Sequence, residues 1–200
     1  MSAETYSMDK EKRAGKQTDA TRVLPETGLT VWFTGLSGAG KTTICQQVQV
    51  ELAARNLKVE VLDGDIIRLH LCQDLGFSEA NRKENIRRIA QVAQTQTHRG
   101  NIVLVAAISP YRSSRDDARS TIRNFIEVYV NSPLSVCEQR DPKGLYQKAR
   151  AGILRGFTGI DDPYEAPLAP DVECLTDRES PQESCSKVLA AILQFLSRRS

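Results

Sequence analysis

Short apolar runs alternate with longer amphipathic stretches along most of this chain. Leu29 to Thr34 is a β-branched and aromatic run of strand length, and helical character then runs from Thr43 to Arg55. Lys58 to Leu62 makes a second short strand, which delivers Asp63-Gly-Asp65 at its carboxyl end. Ser78 is placed to N-cap a long helix through Arg99, with Ile86, Ile89, Ala90 and Ala93 as its buried stripe and Gly100 as its stop. Asn101 to Ile108 is almost wholly apolar, the pattern of a central parallel strand covered on both faces. A charge-rich helix over Ser113–Asn124, a fourth strand over Phe125–Val130 and helical pieces from Ser135 to about Arg155 follow. The stretch from Arg155 to Pro170 holds Gly156, Gly159, Pro163, Pro167 and Pro170, too broken for regular structure; a loop that long reads as a functional lid. Val172 to Thr176 gives a fifth strand. Pro181 to Arg198 closes the chain as a helix, with Val188, Ile192, Phe195 and Leu189, Leu193, Leu196 at core spacing. Strands alternating with helices predict a doubly wound α/β fold with ligands at the carboxyl ends of the strands.

Residues 1–27 are polar and mixed in charge, without helical or strand period, and read as a mobile tail ahead of one folded domain, 28–200. Lys and Arg number 27 against 25 Asp and Glu, so no global field calls for nucleic acid or a membrane surface. No apolar run approaches the roughly 20 residues that span a bilayer. Five scattered cysteines without C-x-x-C pairs, beside only two histidines, disfavour a zinc site and read as reduced thiols of a cytoplasmic protein.

The stretch after the first strand carries the chemistry. Gly35, Leu36, Ser37, Gly38, Ala39, Gly40, Lys41 and Thr42 fit the phosphate-binding pattern G-x-x-x-x-G-K-[ST], with Thr43 leading into the helix. The glycines let the backbone turn its N–H groups inward, and the helix adds its positive end, forming a nest for a di- or triphosphate. Lys41 bridges the outer phosphates in this reading, and Thr42 offers its hydroxyl to Mg²⁺. A Gly-rich turn that merely joins strand to helix is the bland alternative, and the flanking elements argue against it.

Three further groups lie where a substrate is expected. Asp63 and Asp65 follow a strand; one holds Mg²⁺, directly or through water, and the other accepts or orients the proton of an attacking hydroxyl. A plain Asp-Gly turn would use the same residues. Arg82 and Asn85 share a helical face and can grip one ligand, with Arg68 available around an anion, whereas Lys83, Arg87 and Arg88 read as a solvated face. Ser109, in Ile108-Ser-Pro-Tyr-Arg112, stands at a strand end where its hydroxyl can bind substrate or take phosphate.

These stretches, with Asp74-Leu-Gly-Phe-Ser78, Glu84-Asn-Ile-Arg-Arg88, Asp141-Pro-Lys-Gly-Leu-Tyr146 and Gly156-Phe-Thr-Gly-Ile-Asp-Asp-Pro-Tyr-Glu165, resemble the adenylylsulfate (APS) kinase family from about Gly28 to Leu196. The resemblance implies a P-loop kinase: three α/β/α layers around a mostly five-stranded parallel sheet, with a lid at about 140–170. It implies transfer of the γ-phosphoryl of ATP, with Mg²⁺, to the 3′-hydroxyl of adenosine 5′-phosphosulfate in sulfate assimilation, by a dimeric enzyme. Asp65 is then the base or orienting group, and Arg68, Arg82 and Asn85 hold phosphosulfate and ribose. Phe77 and Phe157 clamp the substrate adenine, while Ile108, Ser109 and Arg155 join the substrate side. Arg140 and Lys143 open the lid and meet ATP or the transferring charge. Ile66 stands where the family commonly has Asn, and Arg155 where Lys is usual. Rival readings are a kinase for another small acceptor, a nucleoside, shikimate or gluconate, and a catalytically silent nucleotide-binding protein. A GTPase lacks its Asn-Lys-x-Asp stretch here.

Overall fold

A computed structural model describes residues 28–198. The tail expected over 1–27 lies outside them. Five strands, β1 (Leu29–Thr34), β2 (Val59–Asp63), β3 (Ile102–Ala106), β4 (Phe125–Asn131) and β5 (Val172–Leu175), form one parallel sheet in the order β2-β3-β1-β4-β5. The middle position belongs to β1, with β3 beside it; every residue of both strands is buried, as parallel strands covered on two faces require.

Among the described residues, six helices fill the crossovers and a seventh follows the last strand: α1 (Lys41–Ala53), α2 (Gly64–His70), α3 (Glu79–His98), α4 (Arg112–Ile122), α5 (Leu134–Arg140), α6 (Leu145–Arg150) and α7 (Pro181–Ser197). The pleat of β1 sorts its side chains between two layers. Leu29, Val31 and Phe33 pack with Ile44, Val48 and Leu52 of α1 and Val188 and Ile192 of α7. Trp32 faces the other way, onto Ile86, Ile89, Ala90 and Ala93 of α3 and Ala118 and Ile122 of α4. These are the three α/β/α layers that the resemblance implies, in the doubly wound form expected from the pattern.

Two elements depart from the sequence reading. The apolar run Asn101–Ile108 leaves the sheet after Ala106, because Ser109 adopts φ +48, a left-handed conformation that no strand contains. The Asp-Gly step after β2 is also no simple turn. Asp63 Oδ1 accepts from the amides of Asp65 (2.9 Å) and Ile66 (3.4 Å), capping a short helix, α2, that the sequence pattern did not announce. Residues 155–170 contain no helix or strand, as their glycines and prolines dictate.

Candidate active site

All five strands end on one side, and a cleft of about 930 Å³ opens there. Its floor is the loop after β1. Gly35 sits so close to β4 that an added Cβ would lie 2.4 Å from the Val130 carbonyl oxygen, and Gly40 begins α1 at φ +104. Ser37, Gly38, Gly40, Lys41, Thr42 and Thr43 face the cleft, while Ala39 is buried beneath them. Three side chains clamp the loop from outside. Tyr146 Oη donates to the Ser37 carbonyl (3.0 Å), Thr176 Oγ1 to that of Ala39 (2.8 Å) and Arg140 Nη1 to that of Gly38 (3.3 Å). Arg140 also donates to the Thr176 carbonyl at 2.6 Å, which fixes its guanidinium at the cleft edge.

Lys41 folds back on its own loop, donating to the carbonyls of Gly35 (3.0 Å) and Leu36 (2.7 Å). Burial lowers its pKa to about 8, against the opposing pull of Cys137, Asp65 and Asp63. A cation with so little solvent of its own gains strongly from a polyphosphate that replaces those carbonyls.

Thr42 Oγ1 lies 3.4 Å from Asp63 Oδ2, so the hydroxyl and the free oxygen of the capping carboxylate converge beside the phosphate loop. Among the described residues no three His, Cys, Asp or Glu side chains gather as a protein cage for a metal. A hydroxyl and one carboxylate, both hard oxygen donors, nevertheless fit Mg²⁺, which takes much of its shell from phosphate oxygens and water. Asp65, one helical position beyond Gly64, is exposed and pairs with Lys143 from the α5–α6 connection.

The opposite wall is built from α2, α3 and the β3–α4 loop. Arg68 donates to the carbonyls of Leu75 (2.9 Å) and Gly76 and stacks on the Phe77 ring, 4.1 Å from its centre. Arg82 ties this wall to the 156–162 segment: Nε donates to the Phe77 carbonyl (2.8 Å), Nη1 to Thr158 (2.8 Å), and Nη2 to the Gly156 carbonyl and Asp162 (3.2 Å). Asn85 leaves its buried Oδ1 without a protein partner, and Ile108 and Ser109 complete the lining. Ser109 is itself buried, and its Oγ accepts from Trp32 Nε1 at 2.9 Å.

The structure therefore gathers Lys41, Thr42, Asp63, Asp65, Arg68, Phe77, Arg82, Asn85, Ile108, Ser109 and Arg140 around one cleft. It does not bring in Arg155, whose side chain is exposed away from the lining. Nor does Phe157 reach the lining; it is 8% exposed and meets Tyr146 edge-to-face, ring centres 5.0 Å apart. Phe77, 56% exposed, does line the cleft. Lys143, which the resemblance set with Arg140 at the ATP side, lines the cleft and pairs with Asp65.

A phosphate nest, a hydroxyl–carboxylate pair beside it and a second, cationic wall facing it define a P-loop phosphotransferase with room for an acceptor. The model of a family described as adenylylsulphate kinase matches residues 27–175. An adenylyl-sulfate kinase of Microcystis aeruginosa is 58% identical over 165 residues, covering 82% of this chain and 91% of the relative. The solved structure of the Mycobacterium tuberculosis APS kinase CysC in complex with AMPPNP and APS is 46% identical with a TM-score of 0.80, covering 83% of this chain and 98% of that one. A hexameric APS kinase from Thiobacillus denitrificans is 33% identical, TM-score 0.65, and covers 85% of this chain, which spans 29% of that longer one. The chain belongs to the adenylylsulphate kinase family. Among its described residues no helix is long and apolar enough to cross a membrane.

Proposed function

We propose that this cleft transfers the γ-phosphoryl group of ATP to the 3′-hydroxyl of adenosine 5′-phosphosulfate in one direct, in-line step, yielding ADP and 3′-phosphoadenosine 5′-phosphosulfate. The observation that carries this reading is the position of Asp65, the second residue of α2 and two past the Asp63 cap, on the lining shared by the phosphate loop and the arginine cluster.

The donor triphosphate lies in the nest of amides, with Lys41 on its outer phosphates and Arg140 at the edge. Thr42 and Asp63 would hold Mg²⁺, directly or through water, and the ion would supply neutralisation of the phosphate charge. Asp65 orients the acceptor hydroxyl and takes its proton as the new P–O bond forms; the transition state is loose, so positioning matters more than deprotonation. Arg68, Arg82 and Asn85 bind the phosphosulfate and ribose, and the exposed ring of Phe77 packs on the adenine. Ser109 does not relay the phosphoryl group in this scheme. Its Oγ is buried under the Trp32 indole, and Asp65 already serves the hydroxyl.

Residues from about 140 to 170 act as the lid, held to the acceptor wall through Arg82. The active unit is a homodimer in the cytoplasm, where five buried, unpaired cysteines remain reduced. The test is ADP release from Mg·ATP with APS, adenosine, shikimate or gluconate as acceptor. Fastest turnover with APS supports the reading; a higher kcat/KM with any other acceptor contradicts it.

A further inference from the structure

Arg115 is a charged residue that the reaction scheme leaves unused, yet it is 2% exposed. It sits on the first turns of α4 and spends its guanidinium on three separate elements. Nε donates to Glu127 Oε1 of β4 at 2.7 Å, Nη1 to the Ser109 carbonyl at 2.6 Å and Nη2 to the Glu165 carbonyl at 2.7 Å. Two of these acceptors are main-chain atoms: Ser109 belongs to the cleft lining, and Glu165 to the segment that Arg82, another lining residue, grips. Ser109 holds a backbone conformation, φ +48, that a β-carbon disfavours, so it persists only if its neighbours impose it. Glu165 ends the glycine- and proline-rich segment whose other end is gripped by Arg82 through Gly156 and Thr158. The same junction is tied by the Glu165 amide on the Pro110 carbonyl (2.8 Å) and by Arg112, which donates from its amide to Glu165 Oε2 (2.8 Å) and from Nε to the Ala166 carbonyl (2.8 Å).

We infer that Arg115 is a positioning residue for the acceptor half of the cleft, fastening the strained Ser109 turn and the end of the 156–166 segment to β4. Glu127 holds the guanidinium flat and supplies its countercharge; the five N–H donors of arginine, fixed in one plane, are what let a single side chain reach three elements. Lysine keeps the charge but cannot span the same acceptors. The donor nest hangs on other residues, Tyr146, Thr176 and Arg140, and so stays in place when Arg115 is lost. The inference rests on the assignment of this wall to APS.

The experiment compares Arg115→Lys and the paired variant Arg115→Met/Glu127→Leu with wild type. The pair removes both buried charges together and avoids the orphaned carboxylate that makes breaking a buried ion pair so destabilising. Thermal melts identify folded protein, and initial rates give KM separately for APS and ATP. The expected result is an APS KM raised about tenfold or more, with the ATP KM within about twofold of wild type, in a variant that melts like wild type. An unchanged APS KM in either folded variant, or equal rises in both KM values, overturns the inference and leaves Arg115 as a structural ion pair. Turnover of APS by wild type in the same assay reports on the substrate assignment separately.

Discussion

Lys143 pairs with Asp65, joining the α5–α6 connection to a carboxylate of the cleft lining. Both side chains are exposed, so the contact is screened and adds little to stability. Its meaning lies in where the two groups meet, between the phosphate loop and the arginine wall. Asp65→Asn should lower kcat about a hundredfold or more while leaving the ATP KM near its wild-type value, since the amide keeps the shape but not the base. Steady-state kinetics decide this, and an unaltered kcat would remove Asp65 from the mechanism.

Lys41 is held by two loop carbonyls and is short of solvent, so it is a cation prepared to exchange weak neutral acceptors for phosphate oxygens. Lys41→Ala should cost about 3 kcal/mol of transition-state stabilisation, about a hundredfold in kcat/KM for ATP. Initial rates against ATP concentration test it. Wild-type-like turnover in that variant would contradict the assignment of the phosphate loop.

The two phenylalanines of the expected adenine clamp part company in the structure. Phe77→Ala, at an exposed ring stacked on Arg68, should raise the APS KM with almost no change in Tm. Phe157→Ala should cost about 3 kcal/mol of stability, because it opens a cavity against Tyr146. Tyr146 carries the Ser37 carbonyl of the phosphate loop, so the ATP KM should rise with the loss of that ring. Calorimetry with separate KM values tests the contrast; equal Tm losses in the two variants would contradict it.

Most of the fold was readable because the strands are short apolar runs, the long helices carry buried stripes, and the phosphate loop has a fixed spacing. What escaped was non-local. Helix α2 depends on a side chain capping it from Asp63, and a seven-residue helix with no buried residue leaves no periodic trace. Arg115 sits in the charge-rich helix expected over Ser113–Asn124, and nothing local marks it out; only β4 and Glu165, 12 and 50 residues away, reveal it as buried. Arg140 reaches the Gly38 carbonyl over 102 residues. The resemblance put Arg155 and Phe157 on the substrate side, yet neither lines the cleft, because no local pattern records which way a side chain of an irregular loop turns.

The five cysteines are all buried, and burial raises the thiol of Cys45 to about 12 and that of Cys174 to about 11. A raised folded pKa means that the folded state holds these protons more tightly than the unfolded chain does. The resulting stability is complete below the ordinary thiol value of 9.0 and is lost as pH rises through 9 toward 11–12. Native protein at pH 8 should therefore react negligibly with a thiol reagent, whereas denatured protein exposes five thiols. The melting temperature should fall above pH 9, and rapid native reaction at Cys45 or Cys174 would contradict this account.

The most direct test of the mechanism follows the stereochemistry at phosphorus, using ATP made chiral at its γ-phosphate with sulfur and oxygen isotopes. One in-line displacement by the 3′-hydroxyl of APS, oriented by Asp65, predicts a 3′-thiophosphorylated product with inverted configuration. Retention, the outcome of two successive displacements through a phosphorylated Ser109, would contradict it.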